Sequence, residues 1–596
     1  MLECVAVCGH NFKLLNLTMN TTRQWILSLS LALVSFLATV RPLDAATNRF
    51  HLSVLVDFID DALETHYTPA KLDKMMALFR EMGIRRVYWV HLGGAREGMF
   101  WSGQGSNEKS RSTSASLGGT PIKAAVRSAR KAGLEIYGYL KPYEGGMSYS
   151  LPAGSPQAIE KPGPSRKGGP VAVASNFVRQ HPDLRIRRRM TDIPAGLDSI
   201  PIQRIDLVKS DDRPTRVRKE HIEIWTSPDN YRYERRPTDF DFRDTVEQGR
   251  VLTLRGLNLT NKYVLVTTNL RGKDGDFANH ATRLIRAFGP NHIQLPISVA
   301  TDYCVWKPKR NFRTYGLEFD TGGYRAKKIV LDVDSSNGDR GFIAFCRGRN
   351  EYSPGALCEA YSEVRQHWLR LLRECLDAGV DGIDFRVQCH STWSDEPFAY
   401  GYNEPIIREY RNRHGANIPI VQFETNLLAE IRGEYFTQFL KQAARMIHQR
   451  DKRMQVHVNI DLASPEFSNR INPFTYPRNI KFDWQTWLGF ADEVTFRSLV
   501  LRPAELNSHA MSQKVISASG QAGLPIHFNR YLNQAGQDFE ALRKEIQIIR
   551  NSGRFRSFIL YEGKRLIGPD GAGSVRLRGK YGTMEQWKKL TRQMAN

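Results

Sequence analysis

Asp381-Gly-Ile-Asp-Phe-Arg386 stands where a helical pattern over residues 361–378 gives way to a short apolar run closed by charged groups. Further strand-like runs end in His457 and Asn459, in Arg497, in His527 and Asn529, and in Glu562. Polar groups repeated at the carboxyl ends of successive strands are what the catalytic face of a (β/α)8 barrel requires. The pattern favours an enzyme over a purely structural protein.

Toward the amino terminus the same grammar begins with a strand-like run at 52–57. Helical periodicity over 71–82 follows, then a strand at 85–91, a helix over 122–132 and a third strand at 135–141. Gly83 and Gly133, just before the second and third strands, are natural helix terminators. Three such alternations predict parallel strands. The pattern breaks over 151–205, which is rich in Pro, Gly and basic residues, and 206–335 carries short β-like stretches such as Ile222-Glu-Ile-Trp225. A β-rich insertion is the economical reading. Strands four to eight then fall at 382–387, 454–459, 493–497, 525–529 and 558–562, with helices between them. The predicted fold is α/β, a (β/α)8 TIM barrel in two parts, 46–205 and 336–567, around an inserted β-rich domain at 206–335. A leading segment, 1–45, and a C-terminal extension, 568–596, complete the division; a helical pattern near 584–594 suits either a cover for the barrel bottom or a contact surface.

At 596 residues the chain can hold one large core and a second domain, since single cores stop growing near roughly 250–300 residues. Hydrophobic content of 41% and charged content of 25% exclude a disordered or fibrous class. Thr21-Thr-Arg23, the apolar run 25–40 and Ala45-Ala46 have the layout of a secretory signal. Cleavage near Ala45 and a periplasmic or secreted protein are expected, with retention as a signal anchor the alternative and no other membrane span. The formal charge of +23 fits an anionic partner. An exported chain without a recognisable nucleic-acid module meets little DNA, so no nucleic-acid partner is expected. A sulfated or uronic-acid-containing glycan is the favoured anionic partner, and a merely solubilising basic surface is the larger alternative. Cys4 and Cys8 precede any mature start, and Cys304, Cys346, Cys358, Cys375 and Cys389 are sparse and odd in number, which leaves room for one bridge but not a disulfide framework. No C-x-x-C zinc spacing occurs, and neither a metal nor a cofactor is expected. Oligomeric state has no signature in the chain.

Carbohydrate hydrolysis needs two carboxyl groups facing a sugar, about 5–5.5 Å apart for retention or about 6.5–9.5 Å for inversion. Alternation places Asp384 and Arg386 on one side of strand four, so Arg386 could hold Asp384 ionised as it attacks or orients substrate; the competing reading is a buried pair that braces the barrel top. Glu562 ends strand eight and is the best-placed distant carboxylate for a general acid, with a salt bridge to Lys564 as the bland alternative. Glu404, in Asn403-Glu-Pro405, is a third candidate, but Pro405 fits a first helical turn where Glu404 would only oppose the exposed amides. Asp57 after strand one and Glu144 after strand three are expected to line the pocket or to brace loops.

His457 and Asn459 share a face of strand five, and His527 and Asn529 share a face of strand seven. With His91 and Arg497 they could hydrogen-bond sugar hydroxyls, whereas any one histidine alone could be a satisfied core residue. A metal hydrolase on Asp57, His91, Asp384, His457 or His527 is the minority alternative. In the loop after strand four, His390 and Trp393 are expected to contact sugar or to plug the loop, and Trp484 and Trp487 offer another platform or core packing. Trp225, Tyr231, Tyr233 and Trp306 in the insertion read as core more readily than as a sugar face.

Ala378-Gly-Val-Asp-Gly-Ile-Asp-Phe-Arg386, Tyr402-Asn-Glu-Pro405 and the Tyr561-Glu562 pair together resemble the glycosyl-hydrolase-like TIM-barrel proteins of bacterial polysaccharide processing, especially poorly characterised members with a β-rich insertion. The resemblance extends over much of 50–565 and implies an exported glycosidase acting on an oligosaccharide or polysaccharide, or a related carbohydrate-binding barrel. Three readings follow: a glycoside hydrolase using paired carboxylates; a noncatalytic glycan-binding barrel; and a polysaccharide lyase on a uronic-acid polymer, with His457 or His527 as base.

Overall fold

The computed structural model describes residues 49–595, apart from 59–60, 63–64, 93–107, 149–171, 192–195, 197–198, 210–211, 229–233, 238, 248, 269–281, 296, 300–315, 320–328, 333–342, 349–350, 390, 392–396, 464–478, 499–500 and 533–537. The secretory-signal expectation for 1–45 lies outside these residues. Among the described residues no helix is long and apolar enough to cross a membrane.

Eight strands close into a barrel in sequence order: β1 (His51–Val56), β2 (Ile84–Val90), β3 (Glu135–Leu140), β4 (Gly382–Phe385), β5 (Arg453–Asn459), β6 (Glu493–Arg497), β7 (Ile526–Tyr531) and β8 (Ser557–Tyr561). Every neighbouring pair is parallel, including β8 with β1. The predicted (β/α)8 barrel is present, because each strand is preceded or followed by a helix that covers its outer face. The helix Ser362–Ala378 turns Trp368, Leu372 and Cys375 inward and stops at Gly379, whose φ of +87° suits a residue without a side chain. On β3, a Cβ at Gly138 would sit 3.0 Å from Cys375 Sγ, so the helix approaches the sheet where the strand has no side chain. Removing Trp368, 2% exposed, would cost about 3–5 kcal/mol through cavity formation.

Between β3 and β4 the described residues add two larger sheets, besides the two-stranded pairs Gly146–Ser148 with Ala172–Ala174 and Arg185–Arg187 with Tyr352–Leu357. One runs through Asp241–Glu247, Gly249–Leu259, Ile202–Lys209, Thr282–Phe288, Gly316–Phe319 and Ile329–Asp332; the other joins Ile297–Val299, Ile343–Arg347, Tyr263–Thr268, Ile222–Ser227 and Glu234–Arg235. Alternating apolar residues such as Ile205, Leu252, Leu254, Val264 and Phe345 form a core distinct from that of the barrel. Trp225 is 7% exposed, which suits packing better than a sugar platform; Tyr231, Tyr233 and Trp306 lie outside the described residues. Cys346, Cys358, Cys375 and Cys389 are all buried, and Cys358 and Cys375 are free thiols. The C-terminal helix Met584–Ala595 seats Trp587 edge-on to Phe539, and Thr591 Oγ1 donates to the Met82 carbonyl at 3.1 Å.

Candidate functional site at the carboxyl mouth of the barrel

Strand alternation sends Tyr139 and Lys141, Asp384 and Arg386, His457 and Asn459, Thr495 and Arg497, Asn529, and Tyr561 toward the barrel axis. All are buried. Register sets their levels: Asp384 stands opposite Tyr139 on one side and Gln455 on the other, while Asn459 stands opposite Arg497, which stands opposite Asn529.

Asp384 is wholly buried, and its Oδ2 accepts from Thr495 Oγ1 at 3.1 Å and lies 2.9 Å from His457 Nε2. The expected Asp384–Arg386 pairing does not form, because the two side chains occupy successive levels of the interior. Arg386 instead donates to the Tyr561 hydroxyl at 3.0 Å and to Gln388 Oε1 at 3.3 Å. Burial lowers the pKa of His457 in spite of the adjacent Asp384, so the imidazole favours its neutral form. Tyr139 packs edge-on to the same ring, with centroids 5.4 Å apart.

One level higher, Asp57 Oδ2 accepts from Lys141 Nζ at 2.7 Å, with the Tyr561 hydroxyl 3.4 Å away. Burial alone would depress the Lys141 ammonium's pKa; Asp57, together with Tyr561 and Glu144, raises the net value. Arg497 donates to Gln388 Oε1 at 3.0 Å and to Asn529 Oδ1 at 2.6 Å. Glu562 is 7% exposed, with the Tyr531 hydroxyl 3.4 Å from its Oε1 and Arg565 Nε 3.7 Å from its Oε2; the peptide bond joining it to Tyr561 is cis. Glu144 is half-buried, and its charge reaches both Lys141 and Arg386.

Several buried atoms in this region have no hydrogen-bond partner among the described residues: Asp384 Oδ1, His457 Nδ1, the Tyr139 hydroxyl, both amide atoms of Asn459, Asn529 Nδ2 and Arg386 Nε. Buried polar atoms are normally satisfied, so their convergence marks a place suited to a polar ligand. Beside it, a cavity of about 390 Å³ is walled by Phe398, Phe482, Trp484 and Trp487 and reaches His457 and Asn459. Trp487 Nε1 donates to Thr437 Oγ1 at 3.0 Å, which ties that ring into the wall.

Three expected members stand elsewhere. His91 follows β2 on the outer side, with Nε2 2.8 Å from Glu374 of the helix Ser362–Ala378. His527 is near the start of β7, not its end, and belongs to a lower layer; its Nδ1 is 2.7 Å from Ser557 Oγ and its Nε2 3.1 Å from Glu493 Oε2. Glu404 is exposed at the first turn of the helix Glu404–His414, while Asn403 beside it braces the chain by accepting from Arg187 N and donating to the Arg185 carbonyl. His390 and Trp393 lie outside the described residues. Sequence reading missed Tyr139, Thr495 and Gln388, although stepping by two from Lys141, Arg497 and Arg386 reaches all three. Among the described residues no group of three His, Cys, Asp or Glu side chains is arranged to hold a metal ion.

No protein-family profile and no curated protein sequence matches the chain. Among solved structures, the catalytic domain of β-amylase from Paenibacillus polymyxa is similar at 8% identity and TM-score 0.39, over 92% of this chain and 99% of that one. The glycoside hydrolase domain of PelA from Pseudomonas aeruginosa is similar at 15% identity and TM-score 0.19, over 36% of this chain and 66% of that one. A pyruvate kinase from Cryptosporidium parvum also matches, at 7% identity and TM-score 0.28, over 93% of this chain and 71% of that one. The neighbours thus include glycoside hydrolases and an enzyme of unrelated chemistry. Likenesses this distant leave function to be argued from the site.

Proposed function

We propose that the protein is a glycoside hydrolase that cleaves an oligosaccharide or polysaccharide at the carboxyl mouth of the barrel. The observation that carries this reading is the convergence of unpartnered buried atoms around Asp384, since a sugar offers hydroxyls as both donors and acceptors at that density. Asp384 is the anionic group opposite the developing positive charge at the anomeric carbon. Thr495 and His457 hold its Oδ2, which leaves Oδ1 for the sugar. Glu562, at the rim beside Tyr531, is the proposed proton donor to the departing oxygen. Asn459, Asn529 and Tyr139 orient hydroxyls, and the aromatic wall beside His457 receives a neighbouring ring. Export by way of a cleaved segment at 1–45 belongs to the same proposal.

A second reading draws on the Asp384–His457 contact. A carboxylate on Nε2 leaves Nδ1 as a base, which could abstract a proton from a uronic acid and give a lyase. Product mass analysis separates the two. Wild-type and Asp384→Asn proteins are incubated with neutral, sulfated and uronic-acid glycans. Products that have gained water, and are lost in the variant, support hydrolysis; unsaturated products without added water support the lyase. Binding without turnover across the panel would leave a noncatalytic glycan-binding barrel and sink both.

A further inference from the structure

We infer that Gln455 is a positioning residue for the Asp384 carboxylate and acts through the direction it imposes on the Thr495 hydroxyl. The inference rests on the reading of Asp384 as the reacting group and adds what holds that group in place. Tyr88, Gln455, Thr495 and Asp384 are wholly buried. Register sets Gln455 on β5 opposite Asp384 on β4, and Thr495 on β6 opposite His457. Thr495 bonds to both Gln455 and Asp384 and so links them.

The donor and acceptor capacities of these groups fix the direction of each bond. A guanidinium has only donors. Arg86 Nη1 donates to the Tyr88 hydroxyl at 3.3 Å and to Gln455 Oε1 at 3.5 Å, and Glu493 lies 2.5 Å from the same nitrogen as its counter-ion. Burial pushes the Tyr88 hydroxyl's pKa well up, so it keeps its proton and donates it to Gln455 Oε1 at 3.1 Å. Two donors on one side hold the amide oxygen there, since the reversed amide would set its own N–H groups against them. Nε2 therefore faces Thr495 Oγ1 at 2.5 Å. A threonine hydroxyl has one proton, and with the Gln455 N–H on its acceptor side that proton goes to Asp384 Oδ2 at 3.1 Å. His457 Nε2 is the second group on that oxygen, at 2.9 Å, while Oδ1 has no hydrogen-bond partner among the described residues. A hydrogen bond to an ionised group is roughly twice as strong as a neutral one, so the last link fixes the carboxylate's orientation most firmly. Replacing the Gln455 amide by a carboxylate would reverse the line: the new group accepts from Arg86, from Tyr88 and from Thr495, whose proton then leaves Asp384.

The test is a double-mutant cycle between Gln455→Glu and Thr495→Val, read in two ways. The first is infrared spectroscopy of protein isotope-labelled at the aspartate carboxyls, in which subtraction of the Asp384→Asn spectrum isolates the Asp384 band. The second is kcat/KM on whichever glycan of the neutral, sulfated and uronic-acid panel the parent turns over. Each single variant should shift the Asp384 band and lower kcat/KM by about 10- to 100-fold, through kcat, with KM within about threefold of the parent. The double variant should match Thr495→Val alone, because without the hydroxyl there is no direction to reverse. Thr495→Ser, which keeps the hydroxyl, should restore the band and bring kcat/KM within about fivefold of the parent. If unfolding curves show that either substitution prevents folding, Gln455→Met and Thr495→Ala take their places, with a smaller band shift and the same non-additivity expected. Additive effects, which a charge acting on Asp384 through space would give, overturn the inference. So does an Asp384 band unmoved by Gln455→Glu, or a kcat/KM within about threefold of the parent in that variant. Band shifts without turnover across the panel would keep the directed contact with Asp384 and remove the hydrolase reading; turnover that Asp384→Asn abolishes, with a band unmoved by Gln455→Glu, would do the reverse.

Discussion

The barrel interior carries two polar layers, and they differ in how their charges are matched. In the lower layer, Arg86 lies 2.5 Å from Glu493 and 2.8 Å from Glu135, with its guanidinium over the Tyr137 ring at 4.0 Å. Glu493 also accepts from the Tyr137 hydroxyl at 3.1 Å and from Arg453 at 3.3 Å. In the upper layer, Asp384, Asn459, Asn529 and Arg386 keep atoms without partners. Barrel interiors are usually filled by branched apolar residues, so both layers depart from habit. The lower layer thus matches its charges within itself, as a brace, with His527 Nε2 and Ser53 Oγ there lacking a hydrogen-bond partner among the described residues, whereas the upper layer leaves a larger group of such atoms around Asp384 that a ligand could meet. The two are joined by a directed chain: Arg86 donates to the Tyr88 hydroxyl, Tyr88 to Gln455 Oε1, Gln455 Nε2 to Thr495 Oγ1, and Thr495 to Asp384 Oδ2. The brace thereby fixes the Thr495 hydroxyl that holds the proposed reacting carboxylate.

Neutralising one carboxylate in each layer is the strongest way to break this contrast. Asp384→Asn should lower turnover by about 10⁴-fold or more and move the melting temperature little, because an amide still accepts from Thr495. Glu493→Gln should do the opposite, destabilising the fold by about 3–5 kcal/mol through the charge of Arg86 left buried without a counter-ion. Steady-state kinetics and denaturant unfolding on both proteins decide the matter, and matching profiles for the two would collapse the distinction. Acid adds a signature. Burial alone would raise the Glu493 carboxyl, but Arg86 and His527 hold it well below its ordinary 4.5. Its native pKa is thus below the unfolded one, so its stabilisation is complete above the unfolded value and is lost as pH falls through the native value. The variant should show a flatter loss of stability below about pH 4.5.

His527 tests the same contrast with a smaller effect. Burial lowers its pKa despite Glu493, so the native imidazole stays neutral where the unfolded one begins to protonate. Its contribution is present above the ordinary value of 6.5 and declines as pH drops beneath it. His527→Gln should cost about 1–2 kcal/mol at pH 7, through the lost contact with Ser557, and should flatten the decline that starts near pH 6.5. KM should remain within about threefold of the parent, since this ring belongs to the brace; a tenfold rise would return it to the site.

The fold was legible because a period of two inside each strand and glycine stops between elements are local signals, and all eight strands fall where alternation and turn residues put them. Much of the geometry of the candidate site was legible for the same reason: Asp57, Asp384, Arg386, His457, Asn459, Arg497 and Asn529 share inward positions with Lys141 and Tyr561. What alternation cannot give is height along the barrel axis. His527 and Asn529 read alike as a strand-seven pair, yet register with Thr495 and Arg497 puts them in different layers. Pairing is equally hidden, because the partner of Asp384 is set by strand stagger between β4 and β5, not by the neighbouring Arg386 in sequence. His91 shows the remaining gap: one residue past β2, its side chain faces a helix almost three hundred positions later.

Glu404 should give the smallest effect, and it separates motif from geometry. Asn403-Glu-Pro405 looks like a chemical motif in sequence, but the structure divides its labour differently: Asn403 is buried and bonded to Arg185 and Arg187, while Glu404 is exposed where a carboxylate opposes the partial positive charge of a helix start. Glu404→Gln should therefore change turnover by less than about threefold and the melting temperature by no more than about 1 °C. Asn403→Ala should be the damaging change of the two, because it leaves the Arg187 amide and the Arg185 carbonyl without their partner at roughly 1–3 kcal/mol. A large kinetic loss in Glu404→Gln with an unchanged melting curve would move the proton donor from Glu562 to Glu404 and place part of the reacting machinery outside the two interior layers.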